Sequence, residues 1–257
     1  MQNRLSGALC PAAVSCRRFR ASMICHVSGM IEVMSSELSS SSSPLQAVVF
    51  DYGRVLSYSP TPREWRQLAS TAGRPPDEFK LDYWRYRDEY DRASCGAAAY
   101  WQAVARRPLD SRTLGKLIEL DNQQWTRVNP EMLGLARRLR KAGIKTAILS
   151  NMEFEMLAAM RAKFPWLSEF AVKIFSCEVR LVKPAVEIFL HLAAELRVDP
   201  VCALFLDDKA PNIDGARKAG MQAFLFDAPE KQGELERLLL EKGILPAELD
   251  EAFTAPR

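Results

Sequence analysis

The stretch LQAVVFDYGRVLS, residues 45–57, runs from continuous apolar sequence into an acid and, two places later, a glycine. Ala47, Val48, Val49 and Phe50 form the unbroken apolar run expected of a strand covered on both faces, as in a parallel sheet sandwiched between helices. Asp51 then emerges at the strand's carboxyl end, the edge where open α/β sheets bind ligands. A carboxylate buried there is costly unless a cation or hydrogen-bond donors meet it. Taken alone, Asp51 reads equally well as the acid that begins a turn at Gly53. The other strand ends decide between the two.

Residues 58–127 contain no convincing strand. Helix starts fall at Pro62, Pro76 and Asp110, breaks at Gly73 and Gly96, and aromatics such as Phe79, Tyr83, Trp84 and Tyr90 recur at helical spacings, which predicts a small helical module. From Asn129 the rhythm changes. NPEMLGLARRLRKAG has an Asn cap, Pro at the first helical position and a closing Gly, and leads into the apolar strand IKTAILSN. Helix and strand then alternate through EFEMLAAMRAKF, KIFS, AVEIFLHLAAELR, CALFLDD, APNIDGARKAG and QAFLFD, and EKQGELERLLLEKG closes as a surface helix. Such alternation predicts an α/β fold with a doubly wound, Rossmann-like parallel sheet.

With the strands placed, the polar groups at their ends fall into one pattern. The first ends in Asp51, the second in Ser150 and Asn151, and a later one in the pair Asp207–Asp208, while Lys183 precedes the helix that begins near Pro184. All lie on the same carboxyl edge. Adjacent carboxylates repel unless a divalent cation sits between them, and oxygen ligands of this kind suit Mg²⁺. A hydroxyl, backbone amides and an ammonium would hold an anion beside that metal. The set describes a phosphoryl-transfer site with an aspartate available as nucleophile.

Composition narrows the alternatives. At 257 residues and 48% hydrophobic, the chain is long and apolar enough for a packed core. Of its net charge of +3, two charges come from Arg4, Arg17, Arg18 and Arg20 against Glu32 and Glu37. The near-neutral remainder offers no case for nucleic-acid binding. Six cysteines are scattered without CxxC or Cys/His ligand spacing, so reduced thiols are expected. No apolar run is long enough to span a bilayer. Residues 1–44 begin acid-poor and end in SSELSSSSSP, and read as a disordered or mis-annotated N-terminal extension ahead of a cytoplasmic protein; an organelle presequence is the second reading. Nothing in the sequence chooses between monomer and homodimer.

The chain resembles the haloacid dehalogenase superfamily, whose four motifs match VVFDYGRVL, AILSN, VRLVKPAVEIF and ALFLDDKAPNIDGARKAGM over about residues 45–228. The resemblance implies a core of residues 45–57 and 128–257 with a helical cap, 58–127, inserted after the first strand. It implies Asp51 as the nucleophile that becomes an aspartyl-phosphate, and Ser150 and Lys183, with Asn151 beside them, as the phosphoryl-binding groups, Lys183 also steadying Asp51. Mg²⁺ would be held by Asp51, the carbonyl of Gly53, Asp208 and Asp207, directly or through water, with Asn212 orienting the acidic loop. The implied substrate is a small phosphorylated metabolite such as a sugar phosphate.

One departure matters. Most phosphatases of the superfamily carry a second Asp two residues after the nucleophile as general acid and base, and here that position is Gly53. A branch with an Asp-x-Gly-x-Val first motif, including sugar-phosphate phosphatases, shares the substitution. Positioned proton transfer contributes about 10²–10⁴-fold to a rate, so hemiacetal and acyl phosphates, which need least help, would suffer least. Arg54 stays protonated at neutral pH and cannot replace the acid; it reads as a surface or ion-paired arginine. Tyr52 points away from Asp51 into structure. His191 reads as a structural helix residue, and DYWRYRDEYDR as an amphipathic helix that packs its aromatics and exposes its charges, the second reading being that it supplies cap residues, Arg85 and Arg87 among them, that select the substrate. Two other readings are a metal-free 2-haloacid dehalogenase and a non-catalytic binding or regulatory relative. The acid pair argues against the first, the retained charged cluster against the second.

Overall fold

The computed structural model describes residues 44–245. The expected N-terminal extension lies, but for its last residue, outside them. Five parallel strands, β1 (Ala47–Phe50), β2 (Lys145–Ser150), β3 (Val172–Phe175), β4 (Ala203–Asp207) and β5 (Gln222–Leu225), form one sheet in the order β3-β2-β1-β4-β5. Chain order runs outward from β1 in both directions, so the topological switch point lies beside β1, where open α/β sheets place their ligands.

Alternate residues of each strand serve opposite cores, as a period of two requires. Val48, Phe50, Ile148, Leu204 and Leu206 join one apolar cluster, and Ala47, Val49, Ala147, Leu149, Ala203 and Phe205 the other. The first is covered by α6 (Pro130–Lys141), α7 (Phe154–Lys163) and α11 (Lys231–Glu241), the second by α9 (Val186–Leu196) and α10 (Ala210–Lys218), while the single turn α8 (Ser176–Val179) follows β3. The last helix, α11, lies on the surface as expected and docks through Leu235 and Leu239, which are fully buried in the first cluster, its other residues being exposed or half-buried. The heptad-like Leu spacing, not the Glu/Lys pairs, sets its docking.

Between β1 and α6 the chain makes five helices, α1 (Pro62–Ala72), α2 (Pro76–Arg85), α3 (Arg87–Asp91), α4 (Ala97–Ala105) and α5 (Ser111–Gln124), with a third apolar cluster of their own built on Phe79, Tyr83, Tyr100 and Trp101. Local sequence explains their starts. Thr61 and Glu64 form a reciprocal capping box ahead of Pro62, and α1 stops at Gly73 in the left-handed region (φ 73°). Asp110 caps α5 and Asn129 caps α6. The two ends of the helical segment lie side by side. Ser57 bridges Val128 in antiparallel fashion, Tyr58 N donates to Arg127 O at 2.8 Å, and Asn129 N to Leu56 O at 2.8 Å.

Candidate active site

The register of the sheet builds the site. Phe50 is level with Ile148 on one side and Leu206 on the other, so the next residue, Asp51, sits beside Asp207 at the end of the neighbouring strand. Asp51 N still donates to Leu206 O at 2.9 Å, and the chain then leaves the sheet in a single wide turn, Tyr52–Leu56. Within it Arg54 takes a left-handed conformation (φ 62°), unusual for a residue with a β-carbon. Its guanidinium is held at both ends: Nη1 pairs with Asp208 Oδ2 at 2.6 Å and Nε donates to Ser59 Oγ at 3.0 Å. Arg54 is therefore the ion-paired arginine the sequence suggested, and its partner is an acid of the site.

Lys183 lies at the centre. Its side chain, 1% exposed, pairs through Nζ with Asp51 Oδ1 at 2.7 Å and Asp207 Oδ2 at 2.7 Å and donates to Leu149 O at 3.0 Å, which uses all three ammonium hydrogens. Asn212 donates Nδ2 to both oxygens of Asp207 at 2.9 and 3.0 Å, and Lys209 N adds a third donor at 2.8 Å. Asn151 spends its amide on the backbone of Lys183, with Nδ2 to Lys183 O at 3.0 Å and Lys183 N to Oδ1 at 2.9 Å. It locks the second strand end to the lysine loop. Close packing completes the clamp: a Cβ on Gly215 would lie 2.3 Å from Pro184 O, so only glycine lets α10, which carries Asn212, approach that loop.

Electrostatics follow from the count of charges. Three buried carboxylates, Asp51, Asp207 and Asp208, offer oxygens within 4.8 Å of one another, against the two cations Lys183 and Arg54. Burial, together with Asp207 and Asp208, pushes the Asp51 carboxyl up to about 7 even though Lys183 opposes the shift. Burial also raises Asp208, aided by Asp207 and opposed by Arg54. Burial alone would lower the Lys183 ammonium, but Asp207 and Asp51 outweigh it and raise it. The lysine, shared between two acids, stays charged, and the surplus negative charge rests on the acids. Among the described residues no group donates to Oδ2 of Asp51 or Oδ1 of Asp208. Surplus charge and two free carboxylate oxygens fit a hard divalent cation. Asp207, with both oxygens occupied and no exposed surface, fits an anchoring role better than direct ligation.

Asp51, Gly53, Ser150, Asn151, Lys183, Asp208 and Asn212 all line one cavity of about 480 Å³, with Asp207 beneath it. Ser150 is buried, and among the described residues its hydroxyl makes one hydrogen bond, a long one to Asn151 O at 3.4 Å. The helical segment forms the far wall, with Trp65, Tyr83, Trp84, Arg87 and Trp125. Trp125 sits over Gly53: a Cβ there would lie 3.6 Å from Cζ3 of the indole. Tyr52 OH bonds Trp125 O at 2.8 Å, which gives Tyr52 the structural place expected of it. His191 is not in the wall.

The charges of DYWRYRDEYDR are not all on the surface. Arg85 is exposed, but Asp82, Arg87 and Asp91 are buried. The Arg87 guanidinium divides among three acids, Nε to Asp91 at 2.8 Å, Nη1 to Asp121 at 2.9 Å and Nη2 to Glu153 of the loop after β2. It also donates to Tyr83 OH at 2.8 Å. Burial, with Asp121 and Asp91, pushes the Glu153 carboxyl up to about 8 despite Arg87. Asp91 is a local partner four residues on, but Asp121 and Glu153 lie 34 and 66 residues from Arg87, so the sequence shows the pair and not the cluster. The aromatic stretch around Trp84 was a usable signal for the cavity wall; nothing near Trp125 was.

Fold and site together define a doubly wound α/β protein with an acid cluster at its switch point. Comparison places it further: the family model for haloacid dehalogenase-like hydrolases matches residues 46–220, and the chain belongs to that family and is a hydrolase. A phosphatase of Mycobacterium tuberculosis is 26% identical over 190 residues, 71% of this chain and 88% of that protein. Bifunctional epoxide hydrolase 2 of Rattus norvegicus is 30% identical over 118 residues, 43% of this chain and 21% of the relative. Among solved structures, a HAD family enzyme of Bacteroides thetaiotaomicron superposes with a TM-score of 0.63 at 17% identity, covering 76% of this chain and 99% of that one. That enzyme has also been solved with magnesium and inorganic phosphate. At such identity the likeness concerns the fold alone.

Proposed function

We propose that this hydrolase is a Mg²⁺-dependent phosphatase of small phosphorylated metabolites that works through an aspartyl-phosphate on Asp51. The observation that carries the reading is the pair of donor-free oxygens, Asp51 Oδ2 and Asp208 Oδ1, in a site with surplus negative charge. The phosphatase relative and the magnesium and phosphate complex of a structural neighbour support it.

In this reading Asp51 attacks phosphorus, a new P–O bond forms to its carboxylate, and the bond to the organic oxygen breaks. Water then attacks the same phosphorus, freeing inorganic phosphate and restoring Asp51. When bound beside Asp51, Asp208 and the carbonyl of Gly53, Mg²⁺ supplies neutralisation of phosphoryl charge. Lys183 fixes the aim of Asp51 and shares its charge with the incoming oxygens, Ser150 donates to them, and Asn151 and Asn212 act as positioning residues. Gly53 offers no proton to the leaving oxygen, which takes it from solvent. Residues 58–127 act as the cap that closes the cavity, and selection among substrates falls to their side chains.

The test is phosphate release across sugar, acyl and aryl phosphates with and without Mg²⁺, beside Asp51→Asn. Turnover that requires both Mg²⁺ and Asp51 is expected. Halide release from a 2-haloacid without metal would instead establish the dehalogenase reaction.

A further inference from the structure

We infer that the cavity selects aryl phosphomonoesters, in which a flat aromatic ring is bonded directly to the phosphoryl oxygen; the inference rests on the phosphatase reading above. Two separate features point there, one in the wall and one at the reacting end.

The wall is aromatic. Three of the chain's five tryptophans, Trp65, Trp84 and Trp125, line the cavity. Trp84 stands 6.3 Å from each of the others, ring centre to ring centre, with Tyr83 4.9 Å from both Trp65 and Trp84. Trp84 keeps 39% of its surface exposed, apolar ring area that a flat ligand in the cavity would cover. Two ammonium groups rim this surface, Lys80 Nζ 5.3 Å above Trp65 and Lys209 Nζ 4.8 Å above Trp84. Among the described residues neither forms an ion pair. A site built for a polyol would need side chains that exchange hydrogen bonds with successive hydroxyls. Away from the phosphoryl end the acids in this wall are Asp88 and Asp91, and Asp91 is already bound to Arg87.

The reacting end agrees. Where a general acid would stand, Gly53 has no side chain, and the indole of Trp125 occupies the space before it. A phenol ionises near pH 10, as tyrosine does, whereas an alcohol ionises far higher, so a phenolate departs without a proton donor. A ring on the leaving oxygen would meet Trp125 directly. The two features thus fit a single substrate class: the wall receives the ring, and the ring makes the missing acid dispensable.

The experiment compares binding of phenylphosphonate and cyclohexylphosphonate to the full chain with Mg²⁺, followed by tryptophan fluorescence and calorimetry. Their P–C bonds resist hydrolysis and their rings differ in flatness, not size. Phenylphosphonate is expected to bind about fivefold tighter, the scale of an aromatic contact. Trp84→Leu should erase that preference with cyclohexylphosphonate unchanged, and Trp84→Tyr should keep most of it. Phosphate release from phenyl, acetyl and glycerol phosphates is measured alongside. Equal affinity for the two phosphonates, with glycerol phosphate cleaved as well as phenyl phosphate, overturns ring selection and leaves the phosphatase standing. No phosphate from any of the three overturns the phosphatase reading and this inference with it.

Discussion

Two buried clusters of three carboxylates lie on opposite sides of one cavity, and they resolve the same electrostatic problem differently. At the sheet edge Asp51, Asp207 and Asp208 meet two cations and keep two carboxylate oxygens without donors. Across from them Asp91, Asp121 and Glu153 share the single guanidinium of Arg87, with Tyr83 and Gln124 donating to Asp121. Buried negative charge must be balanced by a cation or a proton. Among the described residues the Arg87 acids do not gather oxygens within 4.8 Å as the sheet-edge acids do, and burial raises both Glu153, to about 8, and Asp91 toward their protonated forms. The sheet-edge cluster opens on the cavity, where a metal can do the same work. The same residue types therefore form a fastening in one place and, in the phosphatase reading, the reaction centre in the other.

Removal of each cluster's cation should separate the two most strongly. Arg87→Met strands three buried acids and is expected to cost about 3–5 kcal/mol of stability by urea denaturation, with or without Mg²⁺. Adding Glu153→Gln should recover part of it. Lys183→Met is expected to cost a similar amount without metal but distinctly less in excess Mg²⁺, because a cation can enter beside Asp51. Equal sensitivity of the two variants to Mg²⁺ would erase the distinction.

A smaller effect separates them by pH. Glu153 has a folded-state pKa near 8 against an ordinary 4.5, so the folded chain holds its proton where the unfolded chain has released it. Its contribution is complete below about pH 4.5, falls as pH rises, and is gone above about 8. Stability of the parent chain relative to Glu153→Gln should fall across that window, and a flat difference would remove the buried proton from the account. Smallest is the effect of Arg54. Its 45%-exposed side chain competes with metal for Asp208, so Arg54→Ala should tighten Mg²⁺ binding two- to fivefold by calorimetry, in keeping with a surface ion pair. Weaker binding would make Arg54 a helper of the metal site instead.

The sheet-edge cluster was legible in the sequence because parallel strands write their ends plainly. Apolar runs stop at Asp51, Ser150 and Asp207, and alternation of strand and helix brings those stops to one edge. The finer division of labour was not legible. Asp207 being saturated by Lys183, Asn212 and Lys209 N, and Asn151 being turned onto the Lys183 backbone, depend on how loops pack. The Arg87 cluster was read as exposed charge because its partners come from α5 and from the loop after β2, far along the chain. Likewise Trp125 gains its meaning only when the returning end of the helical segment sets it over Gly53.

In the proposed reaction Asp51 carries the phosphoryl group. Rapid acid quench during turnover of phenyl phosphate, borohydride reduction and peptide mass spectrometry test it directly. Homoserine at position 51, left when hydride reduces the aspartyl-phosphate and expels phosphate, is expected only with Mg²⁺ and not in Asp51→Asn. Phosphate release that persists in Asp51→Asn, or an adduct on another residue, would contradict it.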